Sequence, residues 1–316
     1  MPSRKKIAIS VGDLNGIGIQ LAIENHETIS KDVEALYCID KSMLEQAAEK
    51  LNLNIPNGFQ TLEDIAPHFE IQAGLVSKES GAYAYDSFVK AVDLAKEKKV
   101  DAICTLPIHK KAWELAAVKY KGHTDALRDF FNAEAIMMLG CSKMYVALFT
   151  EHIPLKDVAA SINEKDLTRF LIDFYHTAKP KQTVGVLGLN PHAGDDGVLG
   201  HEESIIQKAI DTANISLQKV QGTVAGPVEA FSSPLVPDVA FTPRVRENYS
   251  HYIAMYHDQG LAPLKALYFD EGINVSLNLP ILRTSVDHGT AFDIAYKGIE
   301  LNSLSYINAI RYIIQN

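Results

Sequence analysis

The feature that most constrains the fold is an alternation. Short β-branched or apolar runs at 6–11, 34–39, 101–105, 145–150, 183–189 and 273–277 read as strands, several of them bounded by Gly or Pro. Between them lie stretches with the apolar spacing of amphipathic helices, at 41–51, 83–98, 164–177 and 202–218. A strand that feeds a helix returns to the sheet most readily in the parallel sense. The pattern therefore predicts an α/β fold with a largely parallel, doubly wound sheet and helices on both faces. In such sheets ligands collect beyond the carboxyl ends of the strands, so the residues just after each strand carry the functional reading. Gly12-Asp13, Pro107, His152, Asn190-Pro191-His192 and Asn278 all fall there.

Composition removes several classes of function. The chain has 316 residues, of which 47% are apolar, enough for two packed domains or one large α/β domain without covalent staples. Its three cysteines, Cys38, Cys104 and Cys141, form no CxxC pair, so neither a disulfide framework nor a thiolate metal site is expected, and a reducing, cytoplasmic setting fits best. The basic start Met-Pro-Ser-Arg-Lys-Lys leads into an apolar run too short for an export signal. No run approaches the roughly 20 apolar residues of a membrane span. A net charge of −9 offers no basic field for a phosphate backbone, so neither nucleic acid nor membrane is an expected partner. A small anionic substrate needs only a few local cations.

Three histidines stand in polar, turn-like settings: His152 in Thr150-Glu151-His152-Ile153-Pro154, His192 in Asn190-Pro191-His192-Ala193-Gly194, and His257 in Tyr256-His257-Asp258-Gln259-Gly260. Three imidazoles with an open fourth position suit a divalent ion that steadies an alkoxide and polarises the ketone formed from it; singly, each is an ordinary loop histidine. Asp258 reads either as a partner of His257 or as a turn acid. Lys265 and Arg283, with Asn274 between them, can clamp a phosphate or carboxylate, or can be solvated surface charge. Gly122-His123-Thr124-Asp125 opens a helical stretch, with Thr124 as a candidate N-cap and His123 facing an anion. The turn 12–18 brings glycines at 12, 16 and 18, which misses GxGxxG and reads equally as an anion cradle or as a tight turn needing positive φ.

Together these segments resemble the 4-hydroxythreonine-4-phosphate dehydrogenase family over nearly the whole chain. The matching stretches are 12–18, 122–125, 146–158, 188–194, Pro237-Asp238 through Phe241-Thr242-Pro243, and the long block 256–298, YHDQGLAPLKALYFDEGINVSLNLPILRTSVDHGTAFDIAYKG. The resemblance implies a two-domain fold like that of isocitrate and isopropylmalate dehydrogenases, with the active site in the interdomain cleft. The domains expected are 1–130 plus 280–316 on the nucleotide side and 131–279 for metal, substrate and dimerisation. It implies that His152, His192 and His257 are ligands of one divalent ion (Zn, Mg or Co) and that His123, Thr124, Lys265, Asn274 and Arg283 contact substrate. Lys265 and Asp238 become the candidate catalytic groups. His288, Gly289, Thr290, Ala291 and Asp293 resemble the adenosine-side loop for NAD, with NADP as the other nicotinamide option.

The resemblance further implies a homodimer with a shared site, in which His257 comes from one chain and His152 with His192 from the other. The activity implied is oxidation of 4-phosphooxy-L-threonine to a β-keto acid, whose decarboxylation yields 3-amino-2-oxopropyl phosphate on the route to pyridoxal 5′-phosphate. The alternatives are a dehydrogenase of D-threonate or D-erythronate 4-phosphate, and a catalytically silent metal-binding scaffold. The chain departs from the family pattern at Leu14, Asn15, Ile19 and Gln20 in the first turn and at His109.

Overall fold

The structure is a computed structural model describing residues 4–221 and 229–316; the first three residues of the basic start lie outside it. The chain forms two compact units, Met1–Ala133 with Ile273–Asn316, and Glu134–Gly272. The later changeover falls at 273, because residues 273–277 form a strand whose antiparallel partner belongs to the first unit.

The first unit contains β1 (Lys5–Ser10), β2 (Val33–Asp40), β3 (Gln60–Leu62), β4 (Ala102–Thr105) and, late in the chain, β9 (Ile273–Leu277) and β10 (Leu282–Val286). Their order is β3-β2-β1-β4-β10-β9, and every neighbouring pair is parallel except β10 with β9. Ile7, Ala8 and Ile9 are wholly buried, as a strand covered on both faces must be. The helix Lys78–Lys96 packs on β1, β2 and β4. It starts where Ser77 Oγ accepts the Ser80 amide at 3.1 Å, and its buried stripe of Tyr83, Phe88, Ala91, Val92 and Ala95 has helical spacing. Burial of Phe88 alone stabilises the unit by about 2–3 kcal/mol.

The second unit contains β5 (Ile136–Cys141), β6 (Met144–Leu148), β7 (Gly185–Val186) and β8 (His251–Ala254), in the order β5-β6-β8-β7. β5 and β6 form a hairpin, whereas β6, β8 and β7 run parallel. Met137, Leu139, Val146, Leu187, Tyr252, Leu261 and Leu264 build its core. The helix Glu164–Ala178, capped by Asn163 Oδ1 accepting the Asp166 amide at 2.9 Å, packs on the helix Glu202–Gln221.

The α/β alternation and the mostly parallel pairing are as expected. Three fully or nearly buried strands, Ile136–Cys141, His251–Ala254 and Leu282–Val286, lie outside the expected runs. Ile136–Cys141 (IMMLGC) carries unbranched residues that favour helices, and Leu282–Val286 (LRTSV) is polar though its last four residues are buried. The expected run 183–189 is a strand only at Gly185–Val186, with single bridges from Val184 and Leu187 on either side.

Candidate active site

In the first unit, register explains the chemistry. Ser10 pairs with Thr105, Thr105 with Ser285, and Ser285 with Asn274, so four polar side chains from four adjacent strands share one face. Arg283 lies on that face, opposite Ser276. Its side chain is only 2% exposed. Nε and Nη2 both donate to Thr105 Oγ1, at 3.1 and 2.6 Å, while Nη1 donates to Ser276 Oγ at 3.2 Å and reaches Asn274 Oδ1 at 3.5 Å, the outer limit of a hydrogen bond. Among the described residues no carboxylate pairs with it, and burial pulls its pKa down to about 10. A buried cation with neutral partners is costly unless an anion joins it.

His123, buried at the start of its helix, feels the Arg283 charge. Its ring meets Phe88 edge-on at 4.8 Å and Trp113 at 5.3 Å, and its Nε2 is buried without a hydrogen-bond partner. Burial, reinforced by the Arg283 charge, drives its pKa well below the usual histidine value, so the ring is neutral at pH 7. A neutral imidazole can offer that unpaired nitrogen as donor or acceptor. Thr124 is buried but is not the N-cap: the helix His123–Phe131 begins after Gly122, and Thr124 sits inside its first turn. Gly122 is extended and is itself the N-cap, so the helix starts two residues earlier than the capping pattern suggests.

The first turn resolves in favour of structure. Gly12 has φ +67°, and a Cβ there would lie 2.2 Å from the Pro107 carbonyl oxygen, so only glycine fits. The amides of Asp13, Asn15, Gly16 and Ile17 are all used internally, by Pro107 O, Asp13 Oδ1, Asp13 O and Thr290 O at 2.9–3.1 Å. None of these is left for an anion. The Asp13 carboxyl itself is buried and accepts from Ser80 Oγ, and burial raises its pKa to about 6.

The departures at this turn have visible uses. Asn15 Nδ2 donates to Leu75 O and its Oδ1 accepts the Gln72 amide, both at 2.8 Å, which ties down the 72–75 loop. Gln20 Nε2 donates to Glu24 and to Ile299 O, and Leu14 and Ile19 are wholly buried. His109 stacks on Phe292 at 4.9 Å. The 288–293 loop thus rests on the turn through Thr290, which is buried; Ala291 adopts φ +43°, His288 Nδ1 lies 3.1 Å from Gly289 O, and Asp293 is exposed.

In the second unit all three histidines follow parallel strands that are adjacent: His152 after β6, His257 after β8 and His192 after β7. His152 and His257 come together, ring centroids 5.5 Å apart, within one chain. The pairing of β6 with β8 continues past the strands, through Phe149 N to Ala254 O and Thr150 N to Met255 O, and delivers both loops to one place. His257 Nδ1 lies 2.7 Å from Asp258 Oδ1, which fixes the tautomer and leaves Nε2 as the electron-pair donor.

His192 is exposed on an unusual turn, 192–196, whose five residues all have positive φ. Among the described residues it does not complete a group of three with the other two. Glu203 holds the approach to that turn, accepting the amides of Leu189 and Asn190 at 2.8 and 2.7 Å. Gln259 joins the β8 and β7 exits, accepting from Met255 N at 2.7 Å and donating to Gly188 O at 2.6 Å.

Asp238 is exposed on the short helix Pro237–Ala240, which packs against the 191–197 turn. Lys265 is half-buried on the helix His257–Tyr268, its Nζ 5.8 Å from the Phe269 ring centre. Thr105, Ser276, Gln259 and Glu203 escaped sequence reading, because Thr, Ser, Gln and Glu beside strands carry no signal until register is known.

This chain is 60% identical to a 4-hydroxythreonine-4-phosphate dehydrogenase of Sulfurimonas denitrificans over 98% of its length and 97% of the relative's. It is 50% identical to the protein of that name from Campylobacter fetus, over 99% and 98%. Among solved structures, a 4-hydroxythreonine-4-phosphate dehydrogenase from Klebsiella pneumoniae superposes with a TM-score of 0.80 at 28% identity, covering 98% of this chain and all of that one. Residues 31–313 match the family described as pyridoxal phosphate biosynthetic protein PdxA, and the chain belongs to that family.

Proposed function

We propose that this chain is the 4-hydroxythreonine-4-phosphate dehydrogenase of its cell, a cytoplasmic homodimer that oxidises 4-phosphooxy-L-threonine with NAD on the route to pyridoxal 5′-phosphate. The relatives' names supply the substrate. The observation that carries the reading is the buried Arg283 guanidinium, held by Thr105 and Ser276 without a carboxylate, since a phosphate dianion is the partner such a group lacks. No helix among the described residues is long and apolar enough to cross a membrane.

In the proposed reaction Arg283, Asn274, His123, Thr124 and Lys265 hold the phosphorylated substrate. His123, kept neutral, adds no charge to repel and none to compete with Arg283. The 288–293 loop would hold the adenosine side of the nicotinamide cofactor, which would supply the hydride acceptor for C3. The hydroxyl proton passes to Lys265 or Asp238, directly or through one water. The β-keto acid then releases its carboxylate as CO2, and the carbon left behind takes up a proton from solvent or from a protonated side chain to give 3-amino-2-oxopropyl phosphate.

The donor set fits a divalent ion: His152 and His257 are paired imidazoles with the right nitrogen of His257 exposed by Asp258, and His192 is the proposed third ligand. When bound, such an ion (Zn, Mg or Co) supplies Lewis acidity that favours loss of the hydroxyl proton and accepts the charge left by decarboxylation.

The test is steady-state reduction of NAD by 4-phosphooxy-L-threonine, run beside D-threonate and D-erythronate 4-phosphates and beside NADP. Preference for the amino acid with NAD is expected; turnover of the hydroxy acids alone would move the chain to the paralogous reaction.

A further inference from the structure

The Arg283 guanidinium has five N–H donors in a fixed plane, and their aim depends on what grips the plane. Thr105 Oγ1 grips one edge of it, taking Nε–H and one Nη2–H together at 3.1 and 2.6 Å. Ser276 takes Nη1 at 3.2 Å. Thr105 ends β4, where its main-chain oxygen also accepts from Ser285 Oγ at 2.9 Å, so the gripping residue is itself anchored. Two accepted bonds occupy both lone pairs of a hydroxyl, which leaves the Thr105 O–H as a donor. Next to Thr105 in register, Ser10 Oγ is wholly buried and has no hydrogen-bond partner. Among the described residues, an Nη2–H of Arg283 and the Thr105 O–H are thus left to donate, beside the unpartnered Ser10 hydroxyl and the unpartnered His123 ring nitrogen.

We infer that Thr105 is a positioning residue, whose hydroxyl fixes the Arg283 fork for the anionic end of the substrate. This rests on the reading of Arg283 given under the proposed function. Thr105 acts through Arg283, with its methyl group serving only as packing.

The experiment compares wild type, Thr105→Val, Thr105→Ala and Thr105→Ser in the full-length protein. Inorganic phosphate binding is measured by titration calorimetry, and kcat and KM are measured for 4-phosphooxy-L-threonine and for NAD. Loss of a charge-assisted pair of hydrogen bonds weakens binding by about tenfold to a hundredfold. Valine should weaken phosphate and raise the substrate KM by that factor, leaving kcat and the NAD KM within about twofold. Serine should restore both.

Should the valine chain not fold, alanine, which leaves room for water, is read in its place. Undiminished phosphate affinity in the valine or alanine chain would overturn the inference. So would a serine chain as impaired as valine, because packing and not the hydroxyl would then be responsible. Phosphate binding that follows the hydroxyl in a protein that never reduces NAD would sustain the inference and defeat the proposed activity.

Discussion

Replacing Arg283 by methionine separates a group kept for binding from one kept for folding. The guanidinium is 2% exposed and burial holds its pKa near 10. At about 1.4 kcal/mol per pH unit, that displacement from the ordinary arginine value costs the folded protein about 3 kcal/mol. The sign is fixed: because the folded-state value is the lower one, the full penalty is present at every pH below about 10 and is relieved only above it. Methionine removes the charge and fills much of the space. Against this stand the bonds lost at Thr105 and Ser276, roughly 1 kcal/mol each. The variant should therefore be as stable as wild type or up to about 1 kcal/mol more stable in phosphate-free buffer. Phosphate at a hundred times its Kd should stabilise wild type by about 2.7 kcal/mol and the variant not at all. Denaturant unfolding with and without inorganic phosphate reads both quantities. A methionine variant destabilised by more than about 2 kcal/mol without phosphate, or still stabilised by phosphate, would refute the reasoning.

Two further perturbations probe other parts of the account. Asp13→Asn should raise stability in a pH-dependent way: the folded carboxyl titrates near 6 and the unfolded one near 3.8, so wild type loses stability as pH rises through that window. The variant's advantage should be small at pH 4, grow to about 3 kcal/mol by pH 7, and appear as diverging thermal midpoints. Asp258→Asn should weaken divalent-ion binding about tenfold to a hundredfold with the fold intact, measured by competition with a chromophoric chelator, since only the orientation of the His257 ring is disturbed. Unchanged ion affinity would remove Asp258 from the site.

The parts of this protein that can be read from sequence are those where chemistry and period coincide. Helix 41–51 was placed to the residue, and the three histidines do follow strands, because a period of 3.6 and the rule about strand ends need no tertiary information. What stayed hidden is set by register. β10 reads as a polar loop, since Arg283, Thr284 and Ser285 offer no apolar alternation, and only pairing with β4 and β9 shows that they are buried on purpose. Thr105 and Ser276 gain their meaning from the same pairing. The glycine-rich turn shows the same limit: its composition reads equally as an anion cradle or a tight turn, and the commitment of the Asp13, Asn15, Gly16 and Ile17 amides to Pro107, Asp13 and Thr290 decides for the turn. The meeting of His152 with His257 inside one chain likewise follows from β6 lying beside β8, a neighbour relation across more than a hundred residues.

The central claim is that a divalent ion and a phosphate-holding face together make a nicotinamide-dependent dehydrogenase. Its most direct test is the rate of NAD reduction by 4-phosphooxy-L-threonine in protein stripped of metal by chelation and then titrated with Zn, Mg or Co. The account predicts turnover lost on stripping, restored by one ion per site, and absent with unphosphorylated 4-hydroxythreonine. Equal rates before and after stripping, or equal turnover of the unphosphorylated compound, would contradict it.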